Sequence, residues 1–284
     1  MQKPFGSKSF RITVLCQFLF DFLTCLMAVF YGHLVHTLTT TNEYRSPISC
    51  ALWVSNFVFI LPLVMSAFNV ILLSFDRLMA VFAATSYNNH VALRLTISYV
   101  LITLSSLALS LPSCFLVQIV HLECHTNSWY FPFNIHQFNR IFPHVWTLAT
   151  FLAPMIIFVA NYVAVFIRLH CRKSFVYASS PKPVSKRAGI RFTLTVFALT
   201  IFDIICTAPE NIYILLINVF GFNDDEGSLW HMCTTFLITL KSCSSPWIFF
   251  LIQPQIKKHL IHLITRCSLK KLTGAMKALS VRRF

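Results

Sequence analysis

The sequence predicts an all-α protein: a polytopic membrane bundle of six transmembrane helices, closed by a short amphipathic C-terminal helix. Three observations predict it. Only 11% of the 284 residues are charged and 56% are hydrophobic, whereas a soluble domain carries about a quarter charged residues. Six apolar runs are long enough to cross a bilayer, which needs roughly 20 residues each. The basic residues sit in alternate connections between those runs, as in proteins oriented by their cytoplasmic charges. The net charge of +14 therefore does not point to nucleic acid. No aromatic-and-basic interleaving exists that could track a nucleic-acid strand.

The spans fall near 10–36, 51–82, 92–120, 144–168, 190–219 and 230–252. In lipid every backbone polar group must be satisfied within its segment, so each is read as a helix. The many β-branched and Phe residues favour strands in water, but span length and burial override that preference. The first run is not a signal peptide: it is too long, carries Asp21 in its middle and lacks a small-residue cleavage site.

Orientation follows from Lys3, Lys8 and Arg11 before the first span, Arg77 and Arg94 around the second connection, and Arg168, Arg172, Lys173, Lys182, Lys186, Arg187 and Arg191 around the fourth. The intervening connections hold Arg45, Arg140 and the acidic run Asp224, Asp225 and Glu226. Both ends are thus expected in the cytoplasm. Residues 172–189, with Ser179, Ser180, Pro181 and Pro183, read as a flexible cytoplasmic loop. Residues 254–267 read as an amphipathic surface helix, with Ile256, Leu260, Leu263 and Ile264 opposite basic residues. Residues 268–284 form a tail, and residues 1–284 are taken as one bundle.

Several residues in these spans form a pattern. Asp76-Arg77-Leu78 ends the second span, preceded by Ser66-Ala67 and Ser74. The fourth carries Pro154 and then Asn161-Tyr162. The fifth carries Cys206-Thr207-Ala208-Pro209, and the sixth ends in Ser245-Pro246-Trp247-Ile248-Phe249. Asp21 lies within the first. In order and on the matching faces, these resemble the rhodopsin-like (class A) G-protein-coupled receptors, lacking their first transmembrane helix. The six spans are then similar to family helices two to seven. Thr207 stands where the family has Trp, and Phe249 where it has Tyr.

The resemblance implies roles. Asp76 would hold Arg77 at rest by a charge-assisted hydrogen bond. Arg77 would swing toward Tyr162 on activation, with Pro246 and Phe249 completing the G-protein switch. Phe57, Phe59, Thr207, Glu210, Asn211 and Tyr213 would line the ligand pocket. Cys50 and Cys124 would form an extracellular disulfide in an oxidising compartment. The Cys50-to-Arg77 gap is two residues longer than the family's, and a kink or bulge near Pro62 would absorb the excess. Cys267, beside Arg266, is a palmitoylation candidate. The family binds sodium at the aspartate matching Asp21, with Ser66 its matching neighbour. Here Lys241 replaces the expected asparagine and Asp203 an expected aromatic residue. An ionisable group inside a span marks a functional or structural site. Lys241 is therefore expected to take the sodium position and pair with Asp21, Asp203 being a further partner.

The implied function is reception of an extracellular ligand and activation of a heterotrimeric G protein at the plasma membrane, as a multi-pass protein. Phe57 or Phe59 stands where amine receptors place an aspartate, and Thr239 where opsins place their lysine, so the expected ligand is a peptide; with Glu210 and Asn211 in the pocket wall, it is expected to carry a cationic or amide group. No cofactor, metal set or catalytic constellation is read. Scattered His33, His36, His121, His125, His136 and His144 do not make one. Two other readings stand beside this one: a non-signalling or fragmentary receptor-like protein, given the altered switch residues, and a transporter, for which no internal repeat is visible.

Overall fold

The computed structural model describes residues 8–41, 52, 55–82, 90–114, 118–120, 123–125, 135–172, 183–220 and 229–252, with side chains described over most of the helical segments. Seven α-helices, a π-helical turn and one short hairpin make up most of them. They are α1 (Lys8–Thr41), α2 (Phe57–Phe82), α3 (Val91–Cys114), α4 (Ile135–Thr147), α5 (Ala153–Arg172), α6 (Pro183–Phe220) and α7 (Leu229–Ile252). The hairpin pairs β1 (Gln118–Val120) with β2 (Glu123–His125). Six stretches are long and apolar enough to cross a membrane: Ser9–Phe30, Phe57–Phe82, Val91–Cys114, Ile141–Arg168, Thr193–Ile217 and Met232–Ile252. The chain is a multi-pass helical membrane protein, as its sequence predicts.

The expected boundaries shift in places. The second span does not start as one helix at residue 51. Leu52 is π-helical, Asn56 takes a positive φ of 60°, and α2 begins at Phe57. Ser55 and Asn56 supply the start: Ser55 Oγ accepts the Phe57 N–H at 3.2 Å, and the Asn56 carbonyl accepts those of Phe59 and Ile60. These bonds satisfy donors that every helix start leaves open. The third span does not run to residue 120. Helix α3 ends at Cys114, and residues 118–120 turn into β1, Ile119 facing Cys124 across the ladder. The loop expected over 172–189 is helical from Pro183 onward. Proline at a first helical position costs no hydrogen bond, since that N–H has no partner in any helix.

The fourth span is interrupted. A π-helical turn at Leu148–Leu152 joins α4 to α5, closed by the Ala153 N–H to the Leu148 carbonyl. A single π turn lodges one extra residue in a helix and changes which side chains face inward beyond it. It ends two residues before Pro154, whose ring supplies no N–H.

Helix α2 is the hub, packing against α1, α3, α5 and α6, while α1 also meets α7 and α7 meets α6. Between α1 and α7 the Cys25 and Cys243 sulfurs approach to 3.0 Å. In lipid the hydrophobic effect does not drive helices together; close packing and interhelical hydrogen bonds do. Here Phe10, Val14, Leu73, Val196, Leu199 and Phe249 form an apolar cluster with Phe18, Tyr162 and Ile248 packed against it. Buried polar residues lie above and below that cluster, and they carry the candidate site.

Candidate functional site

At the end of α2, Asp76 and Arg77 are both buried and ion-paired to each other. Asp76 is also held from α1: Ser9 Oγ donates to its Oδ1 at 2.8 Å. Arg77 is covered from the same helix, its guanidinium carbon 4.0 Å from the Phe10 ring centre. A guanidinium over an aromatic face gains cation–π attraction, more so when desolvated. Adjacent Asp and Arg residues thus become a lock with three parts: carboxylate, hydroxyl and ring.

Tyr162 does not reach Arg77. Its hydroxyl lies 3.3 Å from Thr200 Oγ1 on α6, and its ring packs edge-on to Phe197. One residue earlier, Asn161 donates to Ser74 Oγ at 3.0 Å and ties α5 to α2. Phe249 is buried, edge-on to Phe18 of α1, with ring centres 5.1 Å apart. Pro246 lies inside α7 one turn earlier. The residues assigned to a switch therefore surround one apolar cluster, with Arg77 fastened on its α1 side.

The middle of the bundle holds the intramembrane charges. Ser66 Oγ donates to Asp21 Oδ1 at 2.6 Å, and Gln17 Nε2 donates to its Oδ2 at 3.0 Å. Gln17 belongs to a chain of bonds that continues to Asn69 and Tyr99: Asn69 donates to Gln17 Oε1, and the Tyr99 hydroxyl donates to Asn69 Oδ1. Lys241 is 2% exposed and directly ion-paired with Asp203. Of the two expected partners, one is in contact. Asp203 on α6 is the contact partner, and Asp21 acts on Lys241 only through charge. Asp21 instead accepts from Ser66 and Gln17, one donor on each oxygen. Gln17, Asn69 and Tyr99 were not singled out in the sequence. The available signal was spacing: Gln17 and Asp21, and Ser66 and Asn69, sit four and three residues apart, on shared helix faces.

A cavity of about 520 Å³ opens toward the end of the bundle where α2 begins, opposite Arg77. Phe59, Thr207, Glu210 and Asn211 line it, as expected, and Lys241 reaches its wall. Phe57 and Tyr213 do not line it; Tyr213 packs on Trp230 instead. Its other aromatic walls are Phe142 and Trp146 of α4, which the sequence reading missed. Asn211 is engaged locally, donating to the Thr207 carbonyl at 3.0 Å and accepting from Thr150 at 3.4 Å. Thr207 donates to the Asp203 carbonyl one turn back. Cys124 falls on β2, with its backbone placed and its side chain not described. Cys50, Cys267 and the amphipathic stretch 254–267 lie outside the described residues.

The bundle thus holds a cavity toward one end, a buried polar core and a fastened Asp-Arg pair toward the other. Residues 18–249 match the model of the 7 transmembrane receptor (rhodopsin family). The chain belongs to that family, a family of receptors rather than enzymes. No curated protein matches the chain.

Proposed function

We propose that this receptor binds an extracellular ligand, a peptide, in the cavity beside α4 and α6, and activates a heterotrimeric G protein at the plasma membrane. The observation that carries this reading is the separation of two devices on one helix. Helix α2 begins at the cavity and ends in the ion pair of Asp76 and Arg77. A ligand can bias an equilibrium only through different contacts in its two states. Phe59 near the start of α2 and the α6 residues Thr207 and Glu210 share one cavity wall system, so an occupant bears on both helices at once. Release of Arg77 requires breaking its Asp76 contact and leaving Phe10. Tyr162, held by Thr200, then offers the arginine a new neighbour across the apolar cluster.

Lys241 takes the part of an internal cation in this scheme. Its ammonium faces Asp203 and Asp21, where a free sodium ion would otherwise balance the Asp21 carboxylate. The pair ties α6 to α7 beneath the cavity. The peptide reading is supported by the aromatic walls and the size of the cavity, which suit one or two side chains of a larger ligand.

The test is nucleotide exchange. The chain is reconstituted in lipid nanodiscs with heterotrimers of each G-protein class. At least one class is expected to exchange nucleotide faster than with empty discs. Asp76→Asn should raise that basal rate several-fold by weakening the hold on Arg77, and Arg77→Ala should return it to background. No acceleration with any class, in either the parent chain or Asp76→Asn, rejects the reading.

A further inference from the structure

Two acceptors in the cavity wall are left without a donor among the described residues. Glu210 Oε2 is buried, and no described residue donates to it. Asn56 Oδ1, at the start of α2, is in the same state. Both residues line the same cavity. The neighbouring hydroxyls have turned their protons elsewhere: Thr207 to the Asp203 carbonyl, Ser113 to the Ser110 carbonyl, and Thr150 to the Trp146 carbonyl and Asn211. The Asn211 amide donates to the Thr207 carbonyl. None of these donors meets Glu210 Oε2 or Asn56 Oδ1.

Lys241 does not fill that need. It pairs with Asp203, seven residues before Glu210 on the same helix, which is roughly 10 Å along the axis. The charged residues in the lining are Glu210 and Lys241, and the lysine is already opposed by Asp203 and Asp21. The remaining fixed charge on the wall is the glutamate. A buried carboxylate oxygen without a donor is costly, and a charge-assisted hydrogen bond to it is among the strong ones.

We infer that Glu210 and Asn56 form a cation subsite: the ligand of this receptor places a guanidinium or ammonium group between α2 and α6, donating to Glu210 Oε2 and Asn56 Oδ1. A guanidinium offers five donors and no acceptor, and an ammonium three, so either can donate to both of these acceptors. Phe142 and Trp146 line the same space and suit the faces of a cation or its attached ring. For a peptide ligand the group is an arginine or lysine side chain or the N-terminal ammonium. This deepens the receptor reading and rests on it for the ligand's identity, while the subsite itself is testable without any signalling.

The probe is benzamidinium, with benzamide as its neutral counterpart of nearly the same shape. Each is titrated onto the purified chain in nanodiscs and followed by saturation-transfer NMR. Benzamidinium is expected to bind, benzamide at least tenfold more weakly, and Glu210→Gln should weaken benzamidinium at least tenfold at an unchanged melting temperature. Asn56→Gly, which keeps the backbone free to adopt its positive φ, should weaken it several-fold. No benzamidinium binding, equal binding of benzamide, or full binding by Glu210→Gln overturns the subsite. Benzamidinium binding that depends on Glu210, in a chain that never accelerates nucleotide exchange, leaves the subsite standing and rejects only the signalling role.

Discussion

At the scale of single residues, the buried charges are the most informative positions. An ion pair inside a low-dielectric bundle is held together by what would follow if one partner left: a lone buried charge costs several kcal/mol. Lys241 and Asp203 are in that position, both buried and in contact. Asp203→Asn alone, or Lys241→Met alone, should lower stability by about 3–5 kcal/mol, whereas Lys241→Met with Asp203→Leu should recover most of the loss. Thermal unfolding of the detergent-solubilised variants measures this, and a double variant as unstable as the sum of the singles rejects the pairing. The same arrangement predicts no dependence of the parent's melting temperature on whether sodium or choline accompanies chloride, because the lysine already supplies the charge. The sequence made these ionisable residues conspicuous, since they interrupt apolar spans. It did not reveal who pairs with whom. Either aspartate was a candidate partner for Lys241; it contacts Asp203, while Gln17 and Ser66 donate to Asp21.

At the scale of elements, span length and apolar content were enough to find the membrane helices, and they failed where backbone geometry rather than composition decides. Residues 115–120 are as apolar as the helix before them, so the third span was read through them; after Pro112 and Cys114 the chain instead pairs Ile119 with Cys124 in a three-residue ladder. The two extra residues before Arg77 were expected to be absorbed at Pro62. Pro62 sits inside a continuous helix, and the backbone departs from α geometry at Leu52 and Asn56. Only the polar pair Ser55-Asn56 before an apolar run hinted at it, as residues suited to a helix start. Asparagine tolerates a positive φ better than most residues, while a β-branched side chain there is strained. Asn56→Gly should therefore leave the melting temperature within a degree or two, and Asn56→Val should cost about 1–2 kcal/mol. Equal melting temperatures for the two variants would show that the helix start is not built on this left-handed residue.

At the scale of the whole molecule, the distribution of side chains between inside and outside is what makes the chain a membrane protein, and it has a direct test. Charged and hydrogen-bonding residues such as Asp21, Asp203 and Lys241 are buried, while Ile156, Phe166, Trp247 and Leu251 are each at least 67% exposed. Soluble proteins rarely expose contiguous apolar surface beyond a few hundred Å², so this exterior requires lipid as its solvent. Ile156 lies near the middle of the span Ile141–Arg168 and is 67% exposed. An arginine at the centre of a transmembrane helix costs about 2.5–3.5 kcal/mol on insertion scales. Ile156→Arg should thus reduce the fraction of chain that resists alkaline extraction from membranes, and Ile156→Leu should not. The comparison is sharp because the bundle holds a cation at Lys241, on a helix of similar length. What separates the two positions is the presence of Asp203: inside, a cation meets a carboxylate, and outside it meets only acyl chains. Unimpaired insertion of Ile156→Arg would mean that this face of α5 is not turned to lipid.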